Sequence, residues 1–255
     1  MRYALVSDIH ANLPALEAVL EHVEAEAHAD ALYHLGDLVG YAPWPDEVVA
    51  LLRSRSIMGV AGNYDSTVAT GHAHCGCRYE DPLQEELSHR SYEWTRAHCI
   101  GATKAFLSAL PFRIDLRPLG GHVGGPRLVL VHGTPTLNTL YWTSERSDDF
   151  CRQMADRAGL GDGDAIAFGH THVPWKRVVD GVTFINTGSV GRPKDGDWRA
   201  GYAVVDIGAD GVTVSFARVE YDIEAATEAI VASELPDEFA HYLRSGGKSL
   251  VTPPA

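Results

Sequence analysis

Cysteine is scarce in this chain, with four in 255 residues at positions 75, 77, 99 and 151. That is too few for a disulfide scaffold, so the core has to be held by burial alone. Basic residues are also in deficit: 21 Lys and Arg against 34 Asp and Glu leave a formal charge of -13. Surfaces that track a nucleic-acid polymer need clustered Lys and Arg to displace counterions, which argues against an extended nucleic acid as partner. A small phosphorylated ligand stays compatible. No apolar run is long enough to span a bilayer, and Met1 leads almost at once into the apolar run Tyr3 to Val6 without a charged leader. These absences predict a cytoplasmic protein with no membrane partner. Internal repeats and low-complexity runs are missing too.

What is present is an ordinary apolar fraction, 45% of residues, in a chain long enough for a sizeable core. The run Tyr3 to Asp8 reads as a buried strand, after which Leu13, Leu16, Val19, Leu20 and Val23 recur at helical spacing. Ala31 to Leu35, a helix near Asp46 to Arg53, and Ser56 to Ala61 repeat the alternation, which implies parallel strands with crossover helices. From Ser66 to about Leu110 the pattern changes to polar loop and then helix, with Leu87, Trp94 and Phe106 as inward anchors. After Arg113 come strand-like segments, RIDLRPL, RLVLVHG, AIAFGH, KRVV, VTFIN, GYAVVDI and VTVSFARV, with a hairpin signal at Asp180-Gly181. Helices near Ile223 to Ala232 and Glu238 to Arg244 close the pattern, and residues 246–255 read as a frayed tail. Parallel strands early, mixed strands late and helices outside predict two sheets packed face to face with helices on each flank. The expected division is one domain over 1–245, with 66–110 as a helical cap or insertion.

Seven residues able to hold metal ions fall at or just past the ends of the apolar runs: Asp8, His10, Asp37, Asn63, His132, His170 and His172. Their segments read DIH, GDLVG, GNYD, VHGTP and GHTHVP. A lone DxH or GD carries little weight in a chain of this length; five such pieces, each after a strand-like run, carry a great deal. Asp8 and His10 are two apart, as are His170 and His172, so each pair projects to one side of extended chain. Carboxylate, imidazole and amide donors without thiolate suit Mn, Fe, Zn, Co or Ni. The carboxyl ends of parallel strands are where open α/β sheets place their ligands.

Taken in this order, the motifs resemble the calcineurin-like metallophosphoesterase superfamily. GDLVGYAPWPDEVV, SYEWTR, FINTGSVGRPKDGDWRAGY and YDIEAA resemble its small bacterial and archaeal branch, which contains phosphodiesterases. The resemblance implies an α/β four-layer α-β-β-α sandwich of two mixed sheets, and a pair of divalent transition-metal ions. By motif, one ion takes Asp8, His10 and His172, the other takes Asn63, His132 and His170, and Asp37 bridges them. A water or hydroxide between the ions attacks phosphorus in line with the leaving group. The implied activity is hydrolysis of a small phosphate ester, a nucleotide diester first. A phosphomonoesterase, a protein phosphatase or a dinucleoside polyphosphate hydrolase stand as alternatives, and a noncatalytic scaffold stands behind them. Asp37, Asn63, Tyr64 and His132 are the expected catalytic set, and a homo-oligomer stays open.

One departure concerns Tyr64, where the family commonly has His after the GN pair. Phenol, with a pKa near ~10, exchanges protons less readily at neutral pH than imidazole near ~6.5, so good leaving groups and strained cyclic diesters are the favoured substrates. Tyr64 either donates a hydrogen bond to phosphate or packs at the pocket rim. The segment His72 to Arg78, HAHCGCR, lacks a standard zinc spacing and reads as a lid loop, with His72 or His74 as candidate replacement acids. Asp65 suits a supporting hydrogen bond behind the ligands. Arg192 has two readings, a phosphate contact or a surface salt bridge. His34 is expected in the core, bonded to a neighbour, and His122 in a Gly-rich turn.

Overall fold

A computed structural model of the chain describes residues 1–79, 81–117, 125–208 and 211–248. His122 and the tail beyond residue 248 lie outside the described residues.

The first third alternates as its periodicity dictates: β1 (Arg2–Val6), α1 (Leu13–His22), β2 (Ala31–His34), α2 (Pro45–Ser54) and β3 (Met58–Gly59). Asn12 starts α1 by accepting from the backbone N–H of Ala15 at 3.2 Å, with Pro14 in the first turn. Three helices follow, α3 (Asn63–Thr70), α4 (Pro82–His98) and α5 (Gly101–Ser108). The remainder comprises β4 (Ile114–Leu116), β5 (Leu128–Leu130), α6 (Asp148–Ala158), β6 (Ala165–Phe168), β7 (Trp175–Val179) and β8 (Val182–Asn186), then β9 (Ala200–Gly208), β10 (Gly211–Val219), α7 (Ile223–Ala232) and α8 (Glu238–Arg244). Asp180 (φ 47°) and Gly181 (φ 77°) turn β7 into β8 with two positive φ angles, the geometry an Asp-Gly pair favours.

Three expectations shift. β3 shrinks to two residues of the six in Ser56 to Ala61. The helical stretch begins at Asn63 rather than after Ser66. The third is an omission, since no element is expected between β5 and β6, where α6 lies; Ser147 caps it, and Cys151, Met154, Ala155 and Ala158 form its buried face.

Two mixed five-stranded sheets result, in the orders β10-β9-β1-β2-β3 and β4-β5-β6-β8-β7. β1, β2 and β3 run parallel, as do β5, β6 and β8, while β9, β10, β4 and β7 supply the antiparallel pairs. Period-two alternation sends each strand's side chains to two different cores. Tyr3 and Leu5 of β1 point into the layer between the sheets, where they meet Leu128, Leu130, Ala167, Ile185 and Val205. Ala4 and Val6 face the other way, onto α1, α2, α7 and α8. Across the second sheet, Val129, Ile166, Phe168 and Phe184 pack on α6 and Trp142. Three apolar layers separate four layers of secondary structure. Leu5, Leu128 and Leu130 are fully buried, and truncating any one to Ala costs ~2–5 kcal/mol.

This arrangement aims the carboxyl ends of β1, β2, β3, β5 and β6 at one place. The residues just past those ends are Asp8 and His10, Asp37, Asn63, His132, and His170 and His172.

Candidate metal centre

The loops at this edge bend sharply. Asp8, His10, Asp37, His170 and His172 have φ of 52°, 50°, 53°, 66° and 62°, a left-handed conformation that costs a non-glycine residue ~1–3 kcal/mol. Loop-to-loop hydrogen bonds offset the strain: the backbone N–H of Asp8 donates to Gly36 O at 3.0 Å, that of His10 to Asp37 O at 3.0 Å, and that of Gly169 to His132 O at 2.8 Å. Gly62 permits a close approach, since a Cβ there would lie 2.1 Å from Oδ1 of Asp37.

Two buried groups come out of this packing, Asp8 with His10 and His172, and Asp37 with His132 and His170; within each, the candidate ligand atoms lie within 4.8 Å of one another. Hydrogen bonds at the back of the His10, His172 and His132 rings fix which nitrogen faces inward. Nδ1 of His10 donates to Val39 O at 3.1 Å and Nδ1 of His172 donates to Arg192 O at 2.6 Å. Each Nε2 therefore presents a lone pair, and the two stand 3.2 Å apart. Burial first, then His172, lowers the pKa of His10 well below the usual imidazole value, and burial with Lys194 lowers His172 to about 4, so a proton does not relieve the repulsion at neutral pH. A cation between them does. Oδ1 of Asp8, 3.2 Å from Nε2 of His172, has no hydrogen-bond partner and completes the group.

The second group repeats the logic. Nδ1 of His132 donates to Leu35 O at 2.8 Å, leaving the lone pair of Nε2 3.1 Å from Oδ1 of Asn63 and 3.2 Å from Nδ1 of His170. The Asn63 amide is turned this way because its Nδ2 donates to Cys75 O at 3.3 Å and Cys77 Sγ at 3.2 Å. Oδ1 of Asp37 accepts from the backbone N–H of Tyr64, while Oδ2 lies 3.8 Å from Nε2 of His10 and 3.5 Å from Nε2 of His132, between the groups. Burial, then the neighbouring carboxylates of Asp65 and Asp8, holds the Asp37 carboxyl well above its usual range. Burial pushes Asp8 the same way, but His172, His132 and His10 outweigh it and keep that carboxyl ionised. Crowded carboxylates beside inward lone pairs, with oxygen and imidazole donors throughout, fit two transition-metal divalent ions.

Supporting contacts lock the ligands. Ser7 donates to Oδ2 of Asp8 at 2.6 Å, and Asp65 accepts from the backbone N–H of Leu38 and of Gly62, both at 2.9 Å, tying the Asp37 loop to the Asn63 loop. Tyr141 stacks on His170 with centroids 4.6 Å apart. Ser7 and Tyr141 escape a reading of the sequence, although Ser7 adjoins the DIH motif.

Other sequence candidates are placed differently. Tyr64 is interior rather than on a rim, against His10, Tyr41 and Tyr92, and its hydroxyl has no partner. Arg192 makes no surface salt bridge; it is buried, with its guanidinium 3.9 Å from the Tyr41 ring and 4.0 Å from the Tyr242 ring. His34 is in the core as expected, but neither ring nitrogen is hydrogen-bonded. The segment from His72 to Arg78 forms no third group of metal-capable residues among the described ones; its histidines are exposed and its Cys75 and Cys77 close over Asn63.

The sequence profile of the Calcineurin-like phosphoesterase superfamily domain matches residues 1–210. The protein MJ0912 of Methanocaldococcus jannaschii is 30% identical over 95% of this chain and 97% of its own. Phosphodiesterase YfcE of Escherichia coli is 26% identical over 81% of this chain and 88% of its own. A metallophosphoesterase from Sphaerobacter thermophilus superposes with a TM-score of 0.73 at 30% identity, covering 96% of this chain and 99% of that one. The fold also matches protein PH1004 from Pyrococcus horikoshii, at a TM-score of 0.79 and 22% identity, over 97% of this chain and 99% of that one. With its paired His and Asp groups, this chain belongs to the calcineurin-like phosphoesterase superfamily and is a metallophosphoesterase. Among the described residues, no helix is long and apolar enough to cross a membrane.

Proposed function

We propose that the protein is a phosphodiesterase acting on small nucleotides or related diesters. The observation that carries this reading is the position of Asp37, whose Oδ2 stands between two buried imidazole-bearing groups. One ion would be held by Asp8, His10 and His172, the second by Asn63, His132 and His170, and Asp37 would serve both. The site's oxygen and imidazole donors, without thiolate, suit Mn, Fe, Zn, Co or Ni. A divalent pair supplies a nucleophile derived from water and offsets charge on the phosphoryl oxygens.

The chain's own residues do the rest. Carbonyl oxygens behind His10, His132 and His172 hold each ring with its lone pair inward. Asn63 contributes an uncharged oxygen, so two divalent ions outweigh the carboxylates of Asp8 and Asp37 and the site attracts an anion. Tyr64 stays protonated, since burial raises its pKa well above 10. Buried and protonated, it does not protonate a leaving alkoxide, and this favours diesters with good leaving groups over alkyl monoesters. Residues 1–245 form one domain, with 66–110 as the cap over its site, and the protein works in the cytoplasm.

Rates on a panel of aryl diesters, cyclic nucleotides and alkyl monoesters test the reading. Faster cleavage of diesters upholds it. Faster cleavage of unactivated alkyl monoesters replaces it with a phosphomonoesterase.

A further inference from the structure

The loop after β8 carries three cations, Arg192, Lys194 and Arg199, and two of them are engaged. Arg199 pairs with Asp197 at 2.7 Å. Arg192 is fixed between two tyrosine rings. Asp195, beside Lys194 in sequence, is taken by Arg218. Among the described residues Lys194 has no ion pair, although it is half-buried and its backbone N–H anchors to His172 O at 3.4 Å. The charged and titratable groups within its electrostatic reach are Arg192, Cys77, Asp8, Asp37, His170 and His172. Lys194 is thus anchored by its backbone to the loop that carries His172, and its charge reaches residues of both halves of the metal centre.

Its electrostatic position is unbalanced once ions are held. Asp8 and Asp37 are then neutralised, Arg192 stays beside Lys194, and two cations from the protein face a cationic centre. An anion lying between the centre and Nζ restores the balance and satisfies the ammonium donors. From this we infer that Lys194 is the substrate-contacting cation of the site, its Nζ donating to a non-bridging oxygen of the phosphoryl group. Arg192 supplies field and holds α8 through the Tyr242 ring, without touching substrate. No bond breaks at Lys194; it holds charge that the leaving group's departure redistributes. The assignment rests on the phosphodiesterase reading for its substrate, but not for the anion site itself.

The test compares wild type, Lys194→Met and Lys194→Arg, all reconstituted with Mn and checked for Mn content. Affinity for inorganic phosphate is measured by calorimetry, alongside kcat and KM on bis(p-nitrophenyl) phosphate. The expected result is a roughly 10- to 100-fold loss in both phosphate affinity and kcat/KM for Lys194→Met, the worth of one charge-assisted hydrogen bond, with partial recovery in Lys194→Arg and unchanged Mn content. Phosphate affinity and kcat/KM equal to wild type overturn the inference, as does a loss explained by lower Mn content. If wild type turns over no diester yet Lys194→Met still weakens phosphate binding, the phosphodiesterase reading fails and the role of Lys194 stands.

Discussion

The backbone N–H of Tyr64 donates to Oδ1 of Asp37 at 2.9 Å. This bond places the first turn of α3 against the carboxylate that stands between the two groups, and it leaves Oδ2 facing His10 and His132. Asp37→Asn keeps an acceptor for Tyr64 but removes the negative charge, so it separates the structural from the electrostatic role. The expected outcome is a fold intact by circular dichroism and fewer than two ions per chain by elemental analysis. The loss in metal affinity should exceed the ~10- to 100-fold typical of residues that only orient a ligand.

Asp65 is such an orienting residue, bridging the backbone of Leu38 and Gly62 from the buried third position of α3. Asp65→Ala strands two buried N–H groups at ~1–3 kcal/mol each, and loosens both metal-bearing loops. Chemical denaturation of the metal-free variant should show that loss, and metal titration a ~10- to 100-fold weaker second ion. Equal stability would show that the two loops hold each other without it.

Tyr64 offers a hydroxyl that is buried and unpartnered. Tyr64→Phe deletes an unsatisfied polar group, so the metal-free protein should be as stable as wild type or more stable by up to ~1 kcal/mol. Tyr64→His should instead flatten the dependence of kcat on leaving-group pKa, because an imidazole can protonate a poor leaving oxygen. An unchanged leaving-group slope removes this position from the chemistry.

His34 gives the stability a pH dependence of definite sign. Burial without a hydrogen bond lowers its pKa from 6.5 to about 3, so between those values the unfolded chain binds a proton that the folded chain refuses. Its contribution is constant above pH 6.5 and turns against the fold as pH drops toward 3, by ~1.4 kcal/mol per unit. Metal-free His34→Leu should therefore gain ~2 kcal/mol on metal-free wild type between pH 7 and pH 5. Parallel stability curves would contradict the assignment.

Much of this was legible in the sequence because the site and the sheets share one pattern. Apolar runs announce β1, β2, β5, β6 and β8, and the ligands follow at their ends. α7 and α8 carry enough apolar periodicity to be bounded to the residue. α6 was not legible: Asp and Arg crowd its surface and its buried face is Cys151, Met154 and two alanines, too small to stand out from a polar connection. Arg192 and Lys194 were not separable either, since both are cations in one short motif. Only the placement of Tyr41, Tyr242 and the paired arginines shows which of them is engaged. Ser7 and Tyr141 act through a hydroxyl contact and a ring stack that no spacing encodes.

A two-ion hydrolytic site organised by Asp37 must lose its turnover with its metal. The direct measurement compares metal-stripped and Mn-reconstituted protein for Mn content and for hydrolysis of bis(p-nitrophenyl) phosphate, with His132→Ala alongside. Two ions per chain, turnover that appears only on reconstitution, and loss of both in the variant are predicted. Diester hydrolysis undiminished by stripping, or by removal of His132, would show that the chemistry does not run through these metal groups.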